Sequence, residues 1–255
     1  MKTQKFTLTA AIALTVCTTG SVSAAIIDDF STNQSGSYTQ HTIFKENGHA
    51  SLVFNTANGQ FAPTSAAGTN YTYDVFYRNT GEVFRAAGGE TASIDIVSVS
   101  SQQAVAGLGF GLSTTGNSNT FQTFIRHDGS NYFFQYQNNG GGADLSNTNL
   151  TALNFDLATS PATLAVSRDA VNPALFNITV TGGGMATPFT TSITPSTDFS
   201  GQDLFFGMVN YTGYGGAAAP AVQDNLSFTA VPEPSTALAL LGGTASLLAM
   251  RRRRA

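Results

Sequence analysis

Between residues 26 and 231 the chain consists of short alternating or β-branched runs, which Gly, Asn, Asp, Ser or Pro interrupts about every ten residues. No stretch of this region keeps a helical period for three turns. Strands at this spacing, with no helices between them, predict an all-β fold: an antiparallel two-sheet sandwich or jelly roll. A closed barrel and a β-helix are the alternatives, and the lack of a fixed internal period counts against the β-helix.

Several strands and two hairpins can be placed along this region. The alternation of Tyr73 and Tyr77 with polar residues predicts a strand over residues 71–78. Asp128 and Gly129 predict the turn of a hairpin over residues 121–137. A second hairpin and three further strands are predicted over residues 163–180, 93–99, 204–211 and 226–230.

The first 24 residues have the pattern of a helical signal peptide. Lys2 and Lys5 supply its positive charge, an apolar centre follows, and small residues lead to a cleavage site after Ala24. The alternative is a lipoprotein signal ending at Cys17, but the residue before it is valine, where Gly, Ala or Ser is usual. Cys17 is the single cysteine of the chain, so the mature protein is expected to contain no disulfide.

The last 25 residues, 231–255, form a distinct tail. Pro232 and Pro234 flank Glu233, an apolar run covers residues 235–250, and Arg251, Arg252, Arg253 and Arg254 follow. The prolines predict an extended, protease-accessible hinge. The run predicts a single membrane helix of about 24 Å, slightly shorter than a bilayer core, so flanking residues must help it span. The arginines remain on the cytoplasmic side, which places the rest of the protein outside the cytoplasm.

This tail resembles the PEP-CTERM sorting signal of Gram-negative bacteria, because Pro232-Glu233-Pro234, the apolar helix and the arginine cluster occur in that order. The resemblance implies recognition by an exosortase, transient anchoring in the inner membrane, cleavage near the Pro-Glu-Pro motif, and release to the cell surface or extracellular matrix. An ordinary stop-transfer anchor is the alternative. The tail indicates where the protein goes and leaves the role of the central domain open.

Residues 25–230 are expected to form one domain. The two end segments hold six of the 11 basic residues and one of the 15 acidic residues, which leaves five basic against 14 acidic residues and a formal charge of −9. Such a surface repels phosphate backbones, so nucleic acid is a poor partner, whereas a divalent cation is a better one. Asp28 in the first strand and Asp224 before the last could share a structural calcium ion, because first and last strands often pair. The alternative is that each carboxylate caps a turn.

Four segments of the domain resemble the concanavalin A-like, laminin G-like jelly-roll superfamily. They are Gly107-Leu108-Gly109-Phe110-Gly111, residues 162–180, residues 204–207 and Asp224-Asn225-Leu226-Ser227-Phe228. The resemblance implies a curved sheet whose concave face or loop rim meets glycans, and it implies no reaction.

Catalytic patterns are poorly represented in the domain. A glycosidase needs two carboxylates roughly 5–9.5 Å apart, and a serine hydrolase needs a base beside its nucleophile. The available glutamates and histidines are Glu46, Glu82, Glu90, His41, His49 and His127. No glutamate lies two residues from an aspartate, no Gly-x-Ser-x-Gly occurs, and no zinc-ligand spacing is found. The sequence therefore predicts a protein that is not an enzyme and holds no cofactor other than the candidate calcium.

Tyrosines at strand positions offer aromatic faces on which sugar rings could stack. They are Tyr71, Tyr73, Tyr77, Tyr132 and Tyr136. Packing in the core or across strands is the alternative. The resulting hypothesis is an exported, non-catalytic surface or matrix protein, with extracellular polysaccharide as its candidate ligand. A secreted polysaccharide-active hydrolase with an unrecognised site is the second hypothesis.

Overall fold

The computed structural model describes residues 25–45, 51–64, 72–100, 104–115, 119–138, 146–211 and 221–230. These residues form strands and two short 3-10 turns, Ser35–Ser37 and Thr151–Leu153. No helix in this part of the chain is long and apolar enough to cross a membrane. The predicted signal helix and membrane helix lie outside the described residues.

The strands follow one another with no helical crossover among the described residues. In chain order they are β1 (Ala25–Asp28), β2 (Tyr38–Lys45), β3 (Thr56–Ala57), β4 (Gln60–Phe61), β5 (Thr72–Arg78), β6 (Thr91–Ser98), β7 (Val105–Gly111), β8 (Thr120–His127), β9 (Tyr132–Asn138), β10 (Ser146–Asn149), β11 (Ala162–Arg168), β12 (Phe176–Gly182), β13 (Phe189–Ile193), β14 (Phe205–Tyr211) and β15 (Val222–Thr229).

Two antiparallel sheets make up the fold. The first sheet has the order β13-β12-β11-β6-β15-β4-β3, and β1 also pairs with β15; the second has the order β10-β9-β8-β7-β14-β5-β2. The predicted all-β, two-sheet, jelly-roll-like sandwich is therefore confirmed. The pairing of the first strand with the last is observed as well, with Asp28 opposite Leu226.

Both predicted hairpins are present because their turns are encoded locally. Strands β8 and β9 pair from Phe121 opposite Asn138 to His127 opposite Tyr132. In the turn between them, Oδ1 of Asp128 accepts hydrogen bonds from the backbone N–H groups of the two residues that precede Tyr132, at 3.0 and 2.9 Å. Strands β11 and β12 form the second hairpin in continuous register.

The main core lies between the sheets and is rich in phenylalanine. Phe110 of β7 stacks on Phe121 of β8, with ring centroids 4.7 Å apart. Phe228 of β15 stacks on Phe206 of β14 at 5.0 Å, so the rings also join the two sheets. Truncating one such buried ring to alanine typically costs about 3–5 kcal/mol of stability.

A second, smaller hydrophobic cluster lies on the outer face of the second sheet. It consists of Ile43, Tyr73, Val75, Tyr77, Val105, Phe124 and Val209. Strand β5 is consequently buried on both faces along its whole length. Glycine permits close strand packing here: a Cβ at Gly207 would overlap the carbonyl of Phe76, and one at Gly107 would overlap the carbonyl of Thr123.

Candidate functional site

Two opposed carboxylates lie on the outer face of the first sheet. Asp95 of β6 and Asp224 of β15 are directly opposite in the ladder, so their side chains point to the same face. The Asp95 carboxylate accepts a hydrogen bond from the Thr163 hydroxyl at 2.6 Å and another from the Asn225 side-chain amide at 3.0 Å. These neutral donors hold Asp95 in place beside its acidic partner.

The surroundings of Asp224 change the pKa of its carboxyl group. Burial raises the pKa of Asp224, and the negative charges of Asp95 and Asp29 raise it further. Hydrogen bonds from the Asn225 backbone and the Gln60 side chain oppose the shift. Asp224 therefore holds a proton more readily than an ordinary aspartate. A carboxyl group with a raised pKa is typical of a proton donor, and the nearby negative charges that raise it would also favour a bound cation.

The predicted calcium partners face opposite sides of the first sheet. Asp28 is buried, and its carboxylate accepts hydrogen bonds from Phe30 N–H and the Tyr38 hydroxyl, both at 2.8 Å. Arg78 Nη1 lies 3.9 Å from Oδ2 of Asp28 and compensates its charge. Asp224 instead faces outward. Calcium binding at Asp28 and Asp224 stays a prediction; the negative charges that act on Asp224 are those of Asp95 and Asp29.

No group of three or more His, Cys, Asp or Glu side chains within the described ranges is placed to hold a metal ion.

The candidate tyrosines pack rather than protrude. Tyr73 and Tyr77 belong to the outer cluster of the second sheet, and burial raises the pKa of both. Their hydroxyls have no hydrogen-bond partner among the residues that the structure describes. Tyr132 and Tyr136 pack against the main core. The packing alternative therefore holds for Tyr73 and Tyr77, whereas Tyr132 and Tyr136 are only partly buried. Tyr71 lies outside the described residues.

The described histidines lie at separate places in the second sheet. His127 ends β8 and stacks on Tyr132, with ring centroids 4.2 Å apart. Burial lowers the pKa of His127, while Asp128 and Asp156 oppose that shift. His41 lies in β2, and His49 is outside the described residues.

An uncharged polar surface covers the other half of the first sheet's outer face. We call it the hydroxyl face; it consists of Thr163, Ser167, Asn177, Thr179, Thr190 and Ser192. These residues alternate with the buried side chains of β11 and β12, and in β13 with the half-buried Phe189 and Thr191. The Ser192 hydroxyl donates to the Asn177 side-chain oxygen at 2.7 Å, which links two adjacent strands. The six side chains of the face are hydroxyl and amide groups; two of them, Thr163 and Asn177, donate to the neighbouring carboxylates of Asp95 and Asp169.

Sequence reasoning named Asp224 but missed its partner Asp95, and it missed the hydroxyl face. Alternating Thr and Ser in β11 and β12 is a local signal that could have located the hydroxyl face. Asp95 and Asp224 come together only through the β6–β15 ladder, and no local pattern connects positions that far apart. The predicted cleavage residue Ala24, the motif Pro232 to Pro234 and the four arginines lie outside the described residues.

The comparisons with known proteins identify the tail. Residues 230–254 match the model of the PEP-CTERM protein-sorting motif. No curated protein matches the chain. Similar solved structures include the metal-free lectin I-B4 from Griffonia simplicifolia, at TM-score 0.49 and 10% identity, covering 79% of this chain and 96% of that one. The β-glucanase of Bacillus licheniformis is similar at TM-score 0.47 and 15% identity, covering 80% and 97%.

Strand β15 ends at Thr229, one residue before the matched segment. The sandwich is thus complete before the motif begins. The chain carries a PEP-CTERM protein-sorting motif at residues 230–254, attached directly to a two-sheet β-sandwich.

Proposed function

We propose that this chain is an exported surface or matrix protein, processed by an exosortase, whose sandwich binds neutral extracellular polysaccharide without cleaving it. The observation that carries the sorting role is the motif at residues 230–254. Such a motif implies export and recognition by an exosortase. The inner membrane is then a temporary location, and the folded sandwich is the part that reaches the outside.

The hydroxyl face supports the choice of ligand. A neutral polysaccharide presents a repeating array of hydroxyl groups, which serve as both donors and acceptors. Thr179 lies opposite Thr190 in the ladder, and Asn177 lies opposite Ser192, so the face offers matching groups across adjacent strands. Thr side chains also have few rotamers to lose on binding. The acidic domain as a whole disfavours anionic polymers, which makes neutral ones the better fit.

Co-sedimentation of the exported protein with insoluble neutral polysaccharides tests this role. We expect Thr179→Glu to weaken binding at least about tenfold, because it buries an unpaired charge against the polymer. Val171→Glu is the matched control, since Val171 is 95% exposed outside the hydroxyl face, and it should leave binding unchanged. Equal binding by both variants, or no binding to any neutral polymer, contradicts the proposal.

A polysaccharide-active hydrolase is the second candidate, and the acidic pair favours it. Directly opposed side chains on neighbouring strands have Cβ atoms about 5 Å apart, which brings the two carboxyl groups near enough to act as a pair, as the two carboxyl groups of a glycosidase do. Asp224 has the raised pKa of an acid, and Asp95 is its partner. Release of reducing ends from a polysaccharide panel, abolished by both Asp224→Asn and Asp95→Asn, would establish this activity. Turnover that survives both substitutions would assign it elsewhere.

A further inference from the structure

The described sandwich begins and ends at the same place. Ala25, the first residue of β1, lies opposite Phe228, and Thr229 at the end of β15 lies opposite Thr91 of β6. The sorting tail therefore leaves the fold from an ordered, hydrogen-bonded strand. Residues 230–234 alone connect that strand to the apolar run. Five residues reach at most about 18 Å, so the Pro-Glu-Pro motif stays close to this end of the sandwich.

A pocket of about 340 Å³ lies where the chain leaves. Its lining includes Glu82, Val83, Arg85, Glu90, Phe228 and Ala230. Val83 and Phe228 give it apolar walls, whereas the charged residues give it a polar rim. Ala230, the last described residue before the tail, forms part of the lining.

Glu90 is the unusual residue of this pocket. It is only 2% exposed, yet its Oε2 has no hydrogen-bond partner among the residues that the structure describes. Its neighbour Glu82 is already engaged, since it accepts hydrogen bonds from Arg78 and Thr80. The Glu90 carboxylate accepts backbone hydrogen bonds from Arg85 and from its own N–H, and it lies near the positive charges of Arg85 and Arg168. Oε2 alone is left open to a further donor.

We propose that this pocket seats Val231 and Pro232, the first residues of the sorting tail, and that Oε2 of Glu90 accepts the backbone N–H of Val231. The two apolar side chains match the walls formed by Val83 and Phe228. Val231 has one N–H to satisfy when it is buried, and Pro232 has none, so the single acceptor suffices. Covalent attachment at Ala230 gives this segment an effective concentration that a separate ligand rarely reaches.

Binding of the tail in this pocket adds a structural step to the proposed sorting role, and its functional significance depends on that role. An exosortase then meets the Pro-Glu-Pro motif at a fixed position on a sandwich whose last strand is already formed. Recognition of the tail then depends on the folding of β15, which contains Phe228, and of β6, which begins at the residue after Glu90.

Disulfide trapping in the full chain tests the seat. A V83C/V231C variant, made with C17S so that no other cysteine remains, is exported in a host that lacks an exosortase, and thiol alkylation measures the disulfide. V53C/V231C is the matched control, since Val53 is 57% exposed and pairs with Thr64 away from the pocket. We expect at least about fivefold more disulfide in the first variant, because the bond forms only between Cα atoms within about 7 Å. Equal fractions in the two variants overturn the seat.

Substitutions of Glu90 in the V83C/V231C chain test the hydrogen bond. Glu90→Gln retains an acceptor and should keep the disulfide fraction within about twofold, whereas Glu90→Leu should reduce it to the level of the V53C control. An undiminished fraction in a folded Glu90→Leu chain, checked by its melting temperature, overturns the role of Glu90. If that chain does not fold, a large loss in Glu90→Gln overturns it instead. Trapping needs no exosortase, so its failure is separate from failure of the tail to be processed.

Discussion

Nη1 of Arg168 donates a hydrogen bond of 2.7 Å to the carbonyl oxygen of Gln202, across 34 residues of sequence. The same guanidinium donates to the carbonyls of Arg85 at 2.6 Å, Pro173 at 2.8 Å and Phe199. One buried side chain at the end of β11 thus holds three loops together. It does so through backbone carbonyls, so the sequences of those loops carry no signal of the contact.

Loss of Arg168 should therefore be among the most damaging single changes in the domain. We expect Arg168→Leu to lower the free energy of unfolding by at least about 3 kcal/mol, because several buried carbonyls lose their donor at about 1–3 kcal/mol each. Arg168→Lys should fall between that variant and the wild type, since an ammonium group cannot reach all the carbonyls at once. Urea unfolding measures all three proteins. A Leu variant as stable as the wild type would contradict this account of the loops.

Asp224 should make stability depend on pH in the unusual direction. Its pKa in the folded state is raised above the unfolded value, so the folded state holds the proton more tightly and stability falls as pH rises through that interval. Thermal unfolding at pH 7 should then show Asp224→Asn to be more stable than the wild type. The gain in the free energy of unfolding should be about 1 kcal/mol or less, because solvent screens this partly exposed group. At pH 3, where the wild-type carboxyl is protonated, the difference should vanish. A gain of equal size at both pH values would assign the effect to packing.

Calcium binding gives a second test of the acidic pair Asp95 and Asp224. A native-state ligand at a hundredfold excess over its dissociation constant adds about 2.7 kcal/mol. If calcium binds at Asp224, melting temperatures in calcium and in chelator should differ in the wild type and agree in Asp224→Asn. Asp28→Asn is the companion variant, and it should keep the calcium response because Asp28 is engaged by Tyr38 and Arg78. Equal melting temperatures for the wild type in both solutions exclude the calcium site.

Processing of the tail should depend on Glu233 and on the four arginines in different ways. Glu233→Ala is expected to leave membrane insertion intact and slow release, because it alters the motif that is read and not the apolar run. Replacing Arg251–Arg254 by neutral residues should impair retention before processing, since the orienting charge is lost. The size and location of the exported chain report both steps. A permanent anchor would be indicated if Glu233→Ala is released at the normal rate. It would also be indicated if the wild-type protein keeps its tail in a host that has an exosortase.

The fold was predictable where its signals are local, and the candidate sites were not. Asp128 and Gly129 specify their turn within four residues, so the β8–β9 hairpin follows from the sequence. Tyr73 and Tyr77 show the period of a strand, but periodicity cannot tell that the outer face of that strand is also buried. The acidic pair depends on the register of β6 against β15, which only the assembled sheet defines. Residues that meet across strands are therefore the ones that sequence reasoning cannot pair.

The position of β15 sets the order of events during export. This strand contains the last residues of the sandwich, yet it lies inside the first sheet, with β6 on one side and β1 and β4 on the other. A chain that crosses the membrane from its amino terminus cannot close this sheet until residues 222–229 have emerged. By then every other strand of the described sandwich has already emerged. Such long-range pairing is slow, and the incomplete sheet exposes strand edges to neighbouring chains. A chain that is free in solution before β15 pairs would therefore meet other half-folded copies with the edges of β6 and β4 still open.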